Sequence, residues 1–424
     1  MNKFSPLAIL NLSCLLILVA TPTFAEENIN NKIEEPVEAD DSFAWSDYHK
    51  PWMDDFQIHG FLSQGLFSTS GNNVYGKSKD SVSAGLTEIG LNLSYQALNR
   101  LSFAVQGLYR RAGESTGSEG DFSLDYAFMD YTFFVYEKGR SGIRAGRVRN
   151  PWGLYNATRD VAATHPTIFL PLAYFERSRS LLLSMDGGQF YSDYNTPYGD
   201  FTFTFNIGLT NPNDKELLIA ITQNPNILGD LSSELSYFAN LNYEIDNGKY
   251  IFAFSYANLN LTYDGTATDP YKDLNAKINT FMLSAQYNDE KFSLTGEYAL
   301  QWNDFNNFPV RPDSTPISEH WYVQTGYRVL DNVQLTLRYD STSQDISNRK
   351  EKKPSNTPSF LPAHLSYTKD IVFGTRWDIT PSWMLRAEYH RAQGSSAVSF
   401  FDNPDLSKRV KDWNIYALQI AYQF

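Results

Sequence analysis

One segment of the chain combines charged, aromatic and apolar residues in a way that could act on polar solutes. It begins with Gly-Arg-Val-Arg-Asn-Pro-Trp-Gly-Leu-Tyr-Asn at Gly146 and contains Arg159, Asp160 and the apolar run Ile168-Phe169-Leu170-Pro171-Leu172. A loop exposed wholly to water would not normally contain such an apolar run. We therefore expect residues 149–179 to fold inward and to line an interior space.

The charges in and around this loop predict an electric field across that space. We expect Asp160 and Glu176 to face a basic wall, a constriction in which opposed charges favour polar solutes over apolar ones. Its predicted residues are Arg110, Arg144, Arg147, Arg149, Arg159, Asp160 and Glu176. In the alternative interpretation, Arg147, Arg149 and Arg159 pair with Asp160 or with backbone carbonyls and only hold the loop in place.

Residue patterns typical of enzymes are weak in this chain. Residues Gly113-Glu114-Ser115-Thr116-Gly117 match a nucleophile-elbow motif, but that motif requires a turn from a strand into a helix, and here it lies in a polar loop between two predicted strands. The histidines show no i, i+4 pairing and no cysteine partner that would indicate a metal site. They are His49, His59, His165, His320, His364 and His390. We predict no catalytic residues, no cofactor and no metal.

The elements around the loop are predicted to be β-strands. From residue 55 onward the chain repeats runs of alternating apolar and polar residues, each long enough to cross a tilted barrel wall, which needs about 9 to 11 residues. We count sixteen such runs. Their predicted ranges are 55–68, 84–97, 100–112, 121–137, 140–148, 180–190, 199–209, 233–246, 249–262, 276–289, 291–303, 319–329, 332–343, 368–379, 382–394 and 412–424.

The connections between these runs alternate between short and long. Short turns include Asp246-Asn247-Gly248, whose residues tolerate the positive φ of a tight hairpin. The long connections, predicted to be external, lie near 69–83, 113–120, 149–179, 210–232, 263–275, 304–318, 344–367 and 395–411. This alternation predicts an all-β fold, a transmembrane antiparallel up-and-down β-barrel of about sixteen strands with short periplasmic turns and long external loops. Closure is required because an open sheet edge in lipid would leave backbone groups unpaired.

The phase of the alternation predicts which side chains face inward. In the last strand, Tyr416, Leu418, Ile420, Tyr422 and Phe424 share an apolar face that would meet lipid. The same phase places charged and polar residues inside, and these imply a hydrated interior because burying unpaired charges is costly. The predicted lining residues are Glu297, Arg328, Arg338, Asp340, Arg376, Arg386 and Glu388, together with Arg110, Gln301, Asp378 and His390.

The N-terminal residues predict export. Lys3, an apolar run from Leu7 to Ala20 and the sequence Thr23-Phe24-Ala25 form a signal peptide over residues 1–25. Residues 26–54 are predicted to be an acidic periplasmic arm, and residues 55–424 the outer-membrane barrel. Cys14 is the one cysteine of the chain, so disulfides and thiolate metal sites are not expected in the mature protein.

The charge balance limits the partners. The net charge is −13, and it becomes −14 without residues 1–25, whose one charged residue is Lys3. Nucleic-acid binding is not expected, since it requires basic patches that neutralise phosphates. The total charge does not determine ion selectivity, which depends on the charges at the narrowest point.

Two features resemble known outer-membrane proteins. The terminal Phe424, preceded by apolar residues at every second position, is similar to the signal that the barrel-assembly machinery recognises. The long loop after the fifth strand resembles the constriction loop of sixteen-stranded porins. The stretch Pro-Glu-Phe-Gly-Gly of enteric general porins is absent, and Arg149-Asn150-Pro151-Trp152-Gly153-Leu154-Tyr155-Asn156 looks more like proteobacterial porin-like proteins.

These observations favour a water-filled channel for passive diffusion of small polar solutes or ions, narrowed by residues 149–179. Partners implied by the resemblance are outer-membrane lipid, lipopolysaccharide, the barrel-assembly machinery and two further copies in a homotrimer. One alternative is a barrel that binds or exports a partner, with Arg349, Lys350, Lys352 and Lys353 contacting anionic surface sugars. A barrel-rim hydrolase is the second alternative.

Overall fold

Alternating apolar and polar residues give each segment two distinct faces, and such segments pair into a curved antiparallel sheet. The computed structural model describes residues 55–115, 120–212, 214–222, 229–266, 274–306, 315–348 and 362–424. The predicted signal peptide (1–25) and acidic arm (26–54) lie outside these ranges, as do Gly117 and the basic residues Arg349, Lys350, Lys352 and Lys353.

Seventeen strand segments form the sheet within the described residues. They are β1 (Phe56–Thr69), β2 (Ser83–Leu98), β3 (Leu101–Ala112), β4 (Asp121–Tyr136), β5 (Gly139–Arg149), β6 (Ser184–Thr196), β7 (Gly199–Thr210), β8 (Asp230–Ser233), β9 (Ser236–Ile245), β10 (Tyr250–Asp264), β11 (Asn275–Asn288), β12 (Phe292–Asn306), β13 (Ile317–Leu330), β14 (Val333–Ser343), β15 (Tyr367–Asp378), β16 (Trp383–Gly394) and β17 (Asp412–Gln423).

The sheet closes on itself as a barrel. Each strand pairs antiparallel with its neighbours in the chain, and β1 pairs with both β2 and β17. Both β8 and β9 pair with β10, and the register shifts by one residue between them. They are therefore two segments of one wall strand, and the predicted barrel of sixteen antiparallel strands is confirmed.

Short helices occur in the long connections. The α-helices are α1 (Arg179–Leu183) and α2 (Lys215–Thr222), and the 3-10 turns are Gly113–Ser115, Asn156–Thr158, Ala162–Thr164, Leu172–Tyr174, Glu176–Ser178, Ile346–Asn348, Ala363–Ser366 and Leu406–Lys408. Helix α1 corrects one predicted boundary, because the sixth strand begins at Ser184 rather than at residue 180. None of the helices among the described residues has the length and apolar character to span a membrane.

The predicted short turns are present at one end of the barrel. Between β9 and β10, Asp246, Asn247 and Gly248 all have positive φ, as the sequence predicts for a tight hairpin. The long connections leave the strands at the opposite end. We call the two ends the turn end and the loop end.

The outer face of the wall is apolar in a continuous band. Large side chains that alternate along each strand point outward and are exposed, among them Phe103, Phe252, Leu283, Leu337 and Phe373. Exposed apolar surface of this extent is typical of a face that meets lipid.

The inner face is less polar than the sequence predicts. Near the loop end of β10, Leu259 and Leu261 are buried inside, whereas Asn258 and Asn260 alternate with them. The inner residues pack in one apolar cluster with Trp152, Leu181 and Leu217 from two long connections. Part of the barrel interior is therefore a packed core, and the hydrated interior expected from the inward charges does not extend through this region.

Candidate functional site: a loop across the barrel interior

Residues 150–183, which we call the inner loop, contact the barrel wall on two opposite sides. On the first side, Glu176 accepts hydrogen bonds from Arg110 of β3 (2.5 Å) and from Arg159 of the loop itself (2.8 Å). Arg110 also pairs with Glu88 of β2 at 3.0 Å. Burial alone would raise the pKa of Glu176, but Arg110 and Arg159 hold it below its usual value.

Asp160 forms a second ionic contact on this side. Its carboxylate is 2.6 Å from Arg179 of α1 and 3.4 Å from Arg149 at the end of β5, and Arg149 also pairs with Asp125. Burial disfavours the charged carboxylate, yet Arg179 and Arg149 keep the pKa of Asp160 below its usual value. Five predicted constriction residues thus lie in two ion-pair groups: Arg110, Arg149, Arg159, Asp160 and Glu176.

On the opposite side, Glu297 of β12 is the main acceptor for the inner loop. It is 3% exposed and accepts from the Leu154 backbone N–H (3.1 Å) and the Tyr174 hydroxyl (2.6 Å) of the loop. Ser284 and Tyr322 of the wall donate to the same carboxylate at 2.6 and 2.7 Å. Because four donors surround it, the carboxylate fixes the loop to the wall.

Gly153 permits the close approach to Glu297. Its φ is +57°, and a Cβ there would lie 2.4 Å from the Tyr174 hydroxyl and 2.9 Å from Glu297 Oε1. Only glycine combines this backbone conformation with the absence of a side chain.

Three further wall residues hold the middle of the inner loop. Asp340 of β14 accepts from the Leu172 backbone N–H at 3.1 Å, and Glu388 of β16 accepts from the Ile168 backbone N–H. Arg338 of β14 donates to the Thr167 hydroxyl (2.6 Å) and the Phe169 carbonyl (3.0 Å).

Two arginines hold the backbone nearer the turn end. Arg386 of β16 donates to the carbonyls of His165 (2.9 Å) and Thr167 (2.5 Å), while Arg376 of β15 donates to the carbonyl of Ala163 at 2.8 Å. The predicted lining residues Glu297, Arg338, Asp340, Arg376, Arg386 and Glu388 therefore all contact the inner loop. Each of these charged groups has hydrogen-bond partners in the protein, so they do not by themselves require a hydrated interior.

Three predicted residues lie elsewhere. Arg147 pairs with Asp186, and both are on the opposite face of β5 and β6 from the buried Val148 and Met185. Its predicted place facing Asp160 was wrong, because alternation turns it outward.

The other two residues are Arg144 and Arg328. Arg144 is bound to Asp130 at 2.7 Å and to Gln189 at 2.6 Å, away from the two ion-pair groups. Arg328 is exposed near the turn end, 3.5 Å from the Glu290 carbonyl.

Helix α2 is a part of the site that the sequence analysis missed. Its Leu217, Leu218 and Ile221 are buried in the apolar cluster. Glu216 accepts from Arg177 of the inner loop (2.9 Å) and from the Phe400 backbone N–H (2.7 Å). The apolar run from Leu217 to Ile221, within a connection interpreted only as polar, could have indicated this packing.

Two cavities lie on different parts of the inner loop. The larger, about 930 Å³, lies toward the loop end and includes Phe169, Phe175 and Glu176 in its lining. The smaller, about 130 Å³, lies toward the turn end and includes Val161 and Ala162. They share no lining residue.

Phe424 lies where the barrel closes. Its backbone exchanges hydrogen bonds of 3.1 and 3.0 Å with Gly60 of β1. A Cβ on Gly60 would be 2.5 Å from the Phe424 ring, so the ring lies directly over Gly60 on the outer face.

Features that would indicate an enzyme are sparse among the described residues. Gly113–Ser115 forms a 3-10 turn that follows β3, not a strand-to-helix elbow. Within the described ranges, no group of three histidine, cysteine or acidic side chains is arranged to hold a metal ion.

Comparison with known proteins places the fold. No protein-family model and no curated protein sequence matches the chain, but solved structures do. The fold is that of an outer-membrane porin. The anion-selective porin from Comamonas acidovorans superposes with a TM-score of 0.54 at 11% identity, covering 87% of this chain and 99% of that one.

Two further solved structures superpose on this chain with similar scores. The outer membrane channel DcaP of Acinetobacter baumannii has a TM-score of 0.53 at 13% identity, with 87% of this chain and 97% of that chain covered. The trimer form of OmpT, an outer membrane protein of Vibrio cholerae, has a TM-score of 0.53 at 11% identity, with 87% and 99% covered. At these identities the likeness concerns the fold alone.

Proposed function

We propose that this protein forms a water-filled channel across the outer membrane for passive diffusion of small polar solutes or ions, and that the inner loop narrows it. The observation that carries the proposal is the attachment of one loop to opposite walls, through Glu176 and Arg110 on one side and Glu297 and Asp340 on the other. A loop held in this way restricts passage without needing to move.

The paired charges suggest how the narrowing would act. Arg110, Arg159 and Glu176 border the larger cavity, and they present both signs of charge to a passing solute. Preorganised charges in a confined, low-dielectric space favour polar solutes and slow apolar ones. The same contacts also hold the loop in place, so the two interpretations of these arginines are compatible.

The remaining parts of the proposal concern location and assembly. The exposed apolar band supports insertion of the barrel into the outer membrane, where it would contact lipid and lipopolysaccharide. Residues 1–25 would direct export, and the acidic arm would remain in the periplasm. Phe424, seated at the closing pair of strands, is proposed as the signal for the barrel-assembly machinery. A homotrimer is proposed because one structural neighbour is described in a trimer form.

Single-channel recording in a planar bilayer tests the proposal. The folded mature chain should give stable ohmic steps, and salt gradients should reveal the preferred ion. Arg110→Gln should change conductance or selectivity. Arg391→Gln is the matched control, because Arg391 is exposed on the outer face of β16 and borders neither cavity, and its loss should leave the current unchanged. A folded barrel that never conducts would contradict the channel.

A further inference from the structure

The outer face of the barrel carries aromatic rings near the loop end, and this belt is interrupted on one side. Within strands β9 to β17 it includes the ring pairs Tyr237–Tyr256, Trp321–Tyr339 and Tyr389–Tyr416. Such belts mark the level at which a barrel meets the boundary between lipid and water. Next to Tyr416, β1 instead places Ser68 in register, and the outward residues near the loop end of β2, β5 and β6 include Thr87, Arg147 and Asp186. This side of the wall is therefore unlike a lipid-facing surface.

Asp186 and Arg147 form a charged pair on this side. Arg147 Nε and Nη2 donate to the two carboxylate oxygens at 2.7 and 2.8 Å, and the side chain of Asp186 remains 58% exposed. An ionised carboxylate has about four lone-pair sites, so Asp186 can accept from a further donor. Leu209, in register with Asp186, is exposed beside the pair. A half-exposed charged pair among apolar side chains is unfavourable in contact with lipid.

Arg111 of β3 is a cation on the same outer face. Its guanidinium donates to the Ala84 carbonyl (2.6 Å) and the Thr87 hydroxyl (3.2 Å), and Thr87 in turn donates to Gln64 at 2.7 Å. Within the part of the chain that the structure describes, Arg111 forms no ion pair with an acidic side chain. Neutral groups hold the arginine in place, and its charge can be paired by a carboxylate of another molecule.

The positions of Arg111 and Asp186 fit a threefold ring. Arg111 is next to the last residue of β3 and Asp186 is the third residue of β6, so both lie near the loop end. Each of sixteen strands occupies about 22° of the circumference, and the way from β3 to β6 spans about 70°. In a closed ring of three round subunits, the two neighbours of each subunit lie about 60° apart. Arg111 of every copy can therefore reach Asp186 of the next.

The surface between these two positions is apolar. Phe122 of β4 is 86% exposed, and its ring lies 4.9 Å from that of Tyr109 of β3. Leu124 is exposed on the same strand, and Gly107, in register with it, leaves open space beside it. In a threefold ring this sector would face the axis, where three copies of Phe122 would cover one another. Protein interfaces commonly combine such an apolar centre with polar contacts at the rim.

We propose that the outer face of β1 to β6 is the contact surface between three copies of this chain, with Arg111 of each copy bound to Asp186 of the next and Phe122 near the threefold axis. The inference rests on the homotrimer of the proposed function and names the surface that forms it. Arg147 holds the Asp186 carboxylate in place from within its own chain. Each copy gives one cation and one anion, so the charges at the three contacts are all paired.

Cysteine cross-linking tests the contact. The mature chain has no cysteine after residue 25, so Arg111→Cys with Asp186→Cys introduces its only two thiols. Within one chain these positions lie three strands apart, about 14 Å, which is too far for a disulfide. Oxidation in the membrane should therefore link different copies into dimers and trimers on denaturing gels. Arg391→Cys with Asp186→Cys is the matched control, because Arg391 is exposed on the outer face of β16, and it should give monomers.

Charge reversal separates the contact from a structural role within one chain. Arg111→Glu and Asp186→Arg should each lower the trimer fraction on native gels at least fivefold, because each brings like charges together. Both substitutions combined should restore it. A role within one chain predicts no such rescue, because Arg111 and Asp186 of the same chain share no contact.

The outcomes separate this surface from the channel. Monomers that conduct would overturn the surface and leave the channel standing, whereas cross-linked trimers that never conduct would support the surface and contradict the channel. Trimers without the cross-link between positions 111 and 186 would place the contact elsewhere on the wall and overturn the proposal. Monomers that lose bound lipopolysaccharide on Arg111→Glu would identify a lipid site, which would overturn it as well.

Discussion

Replacing Glu297 by glutamine should loosen the inner loop. The carboxylate accepts two hydrogen bonds from the loop, from Leu154 and Tyr174, and two from the wall. A hydrogen bond to a charged group contributes about 1.5–3 kcal/mol and one to a neutral group about 0.5–1.5. The two loop contacts therefore weaken by about 2–3 kcal/mol together, which raises the released population of the loop about 30- to 150-fold.

The effect can be read in two assays. Single-channel traces of Glu297→Gln should show flicker between conductance levels that the wild type lacks. A cysteine introduced at Leu154 of the mature chain, whose sequence after residue 25 has no other cysteine, should react faster with a charged thiol reagent in Glu297→Gln than in the wild-type background. Glu244→Gln is the matched control, because Glu244 accepts from Asn242 of its own strand at 2.7 Å and forms no hydrogen bond or ion pair with residues 150–183. Identical traces and labelling rates for the two variants would refute the role given to Glu297.

Three further predictions follow from the same contacts. Because Arg110 and Arg159 hold the pKa of Glu176 below its usual value, its ionic contact should persist from pH 7 to about pH 5 and fail only at pH values below the usual range of a glutamate. A conductance change between pH 7 and 5 that Glu176→Gln abolishes would contradict this. Glu216→Gln should free α2, giving larger or noisier currents, whereas Lys215→Gln should not. Phe424→Ala should slow assembly into vesicles severalfold while the assembled barrel still conducts, and an unchanged assembly rate would argue against a signal at this residue.

The wall of the barrel was predictable because the alternation and the turn residues that specify it depend only on residues close together in the sequence. Alternation with a period of two determines which side chain faces outward, and residues such as Asn247 and Gly248 mark the turns. The strand number and order followed from counting such runs. The errors were local as well: Arg179–Leu183 forms a helix where a strand was expected, and the eighth wall strand is interrupted at residues 234 and 235.

The sequence predicted which residues belong to the site better than it predicted which of them contact one another. The sequence singled out Asp160, Glu176 and the arginines near them, and an apolar loop that had to fold inward. It could not show that Arg147 turns outward to Asp186, since the residues at the end of β5 have no apolar alternation to mark their phase. It also gave no sign that the lining charges would bind loop backbone.

The sequence by itself determined the two-sided strands, the turns and the class of barrel, because each depends on neighbours within about ten residues. Only the tertiary structure decided that Leu154 meets Glu297, 143 positions away, that α2 packs into the interior, and that His320 and Asp370 keep unpaired atoms beside one cavity. Barrel closure brings distant strands together, and which side chains then meet is determined by the register around the whole ring rather than by any local pattern.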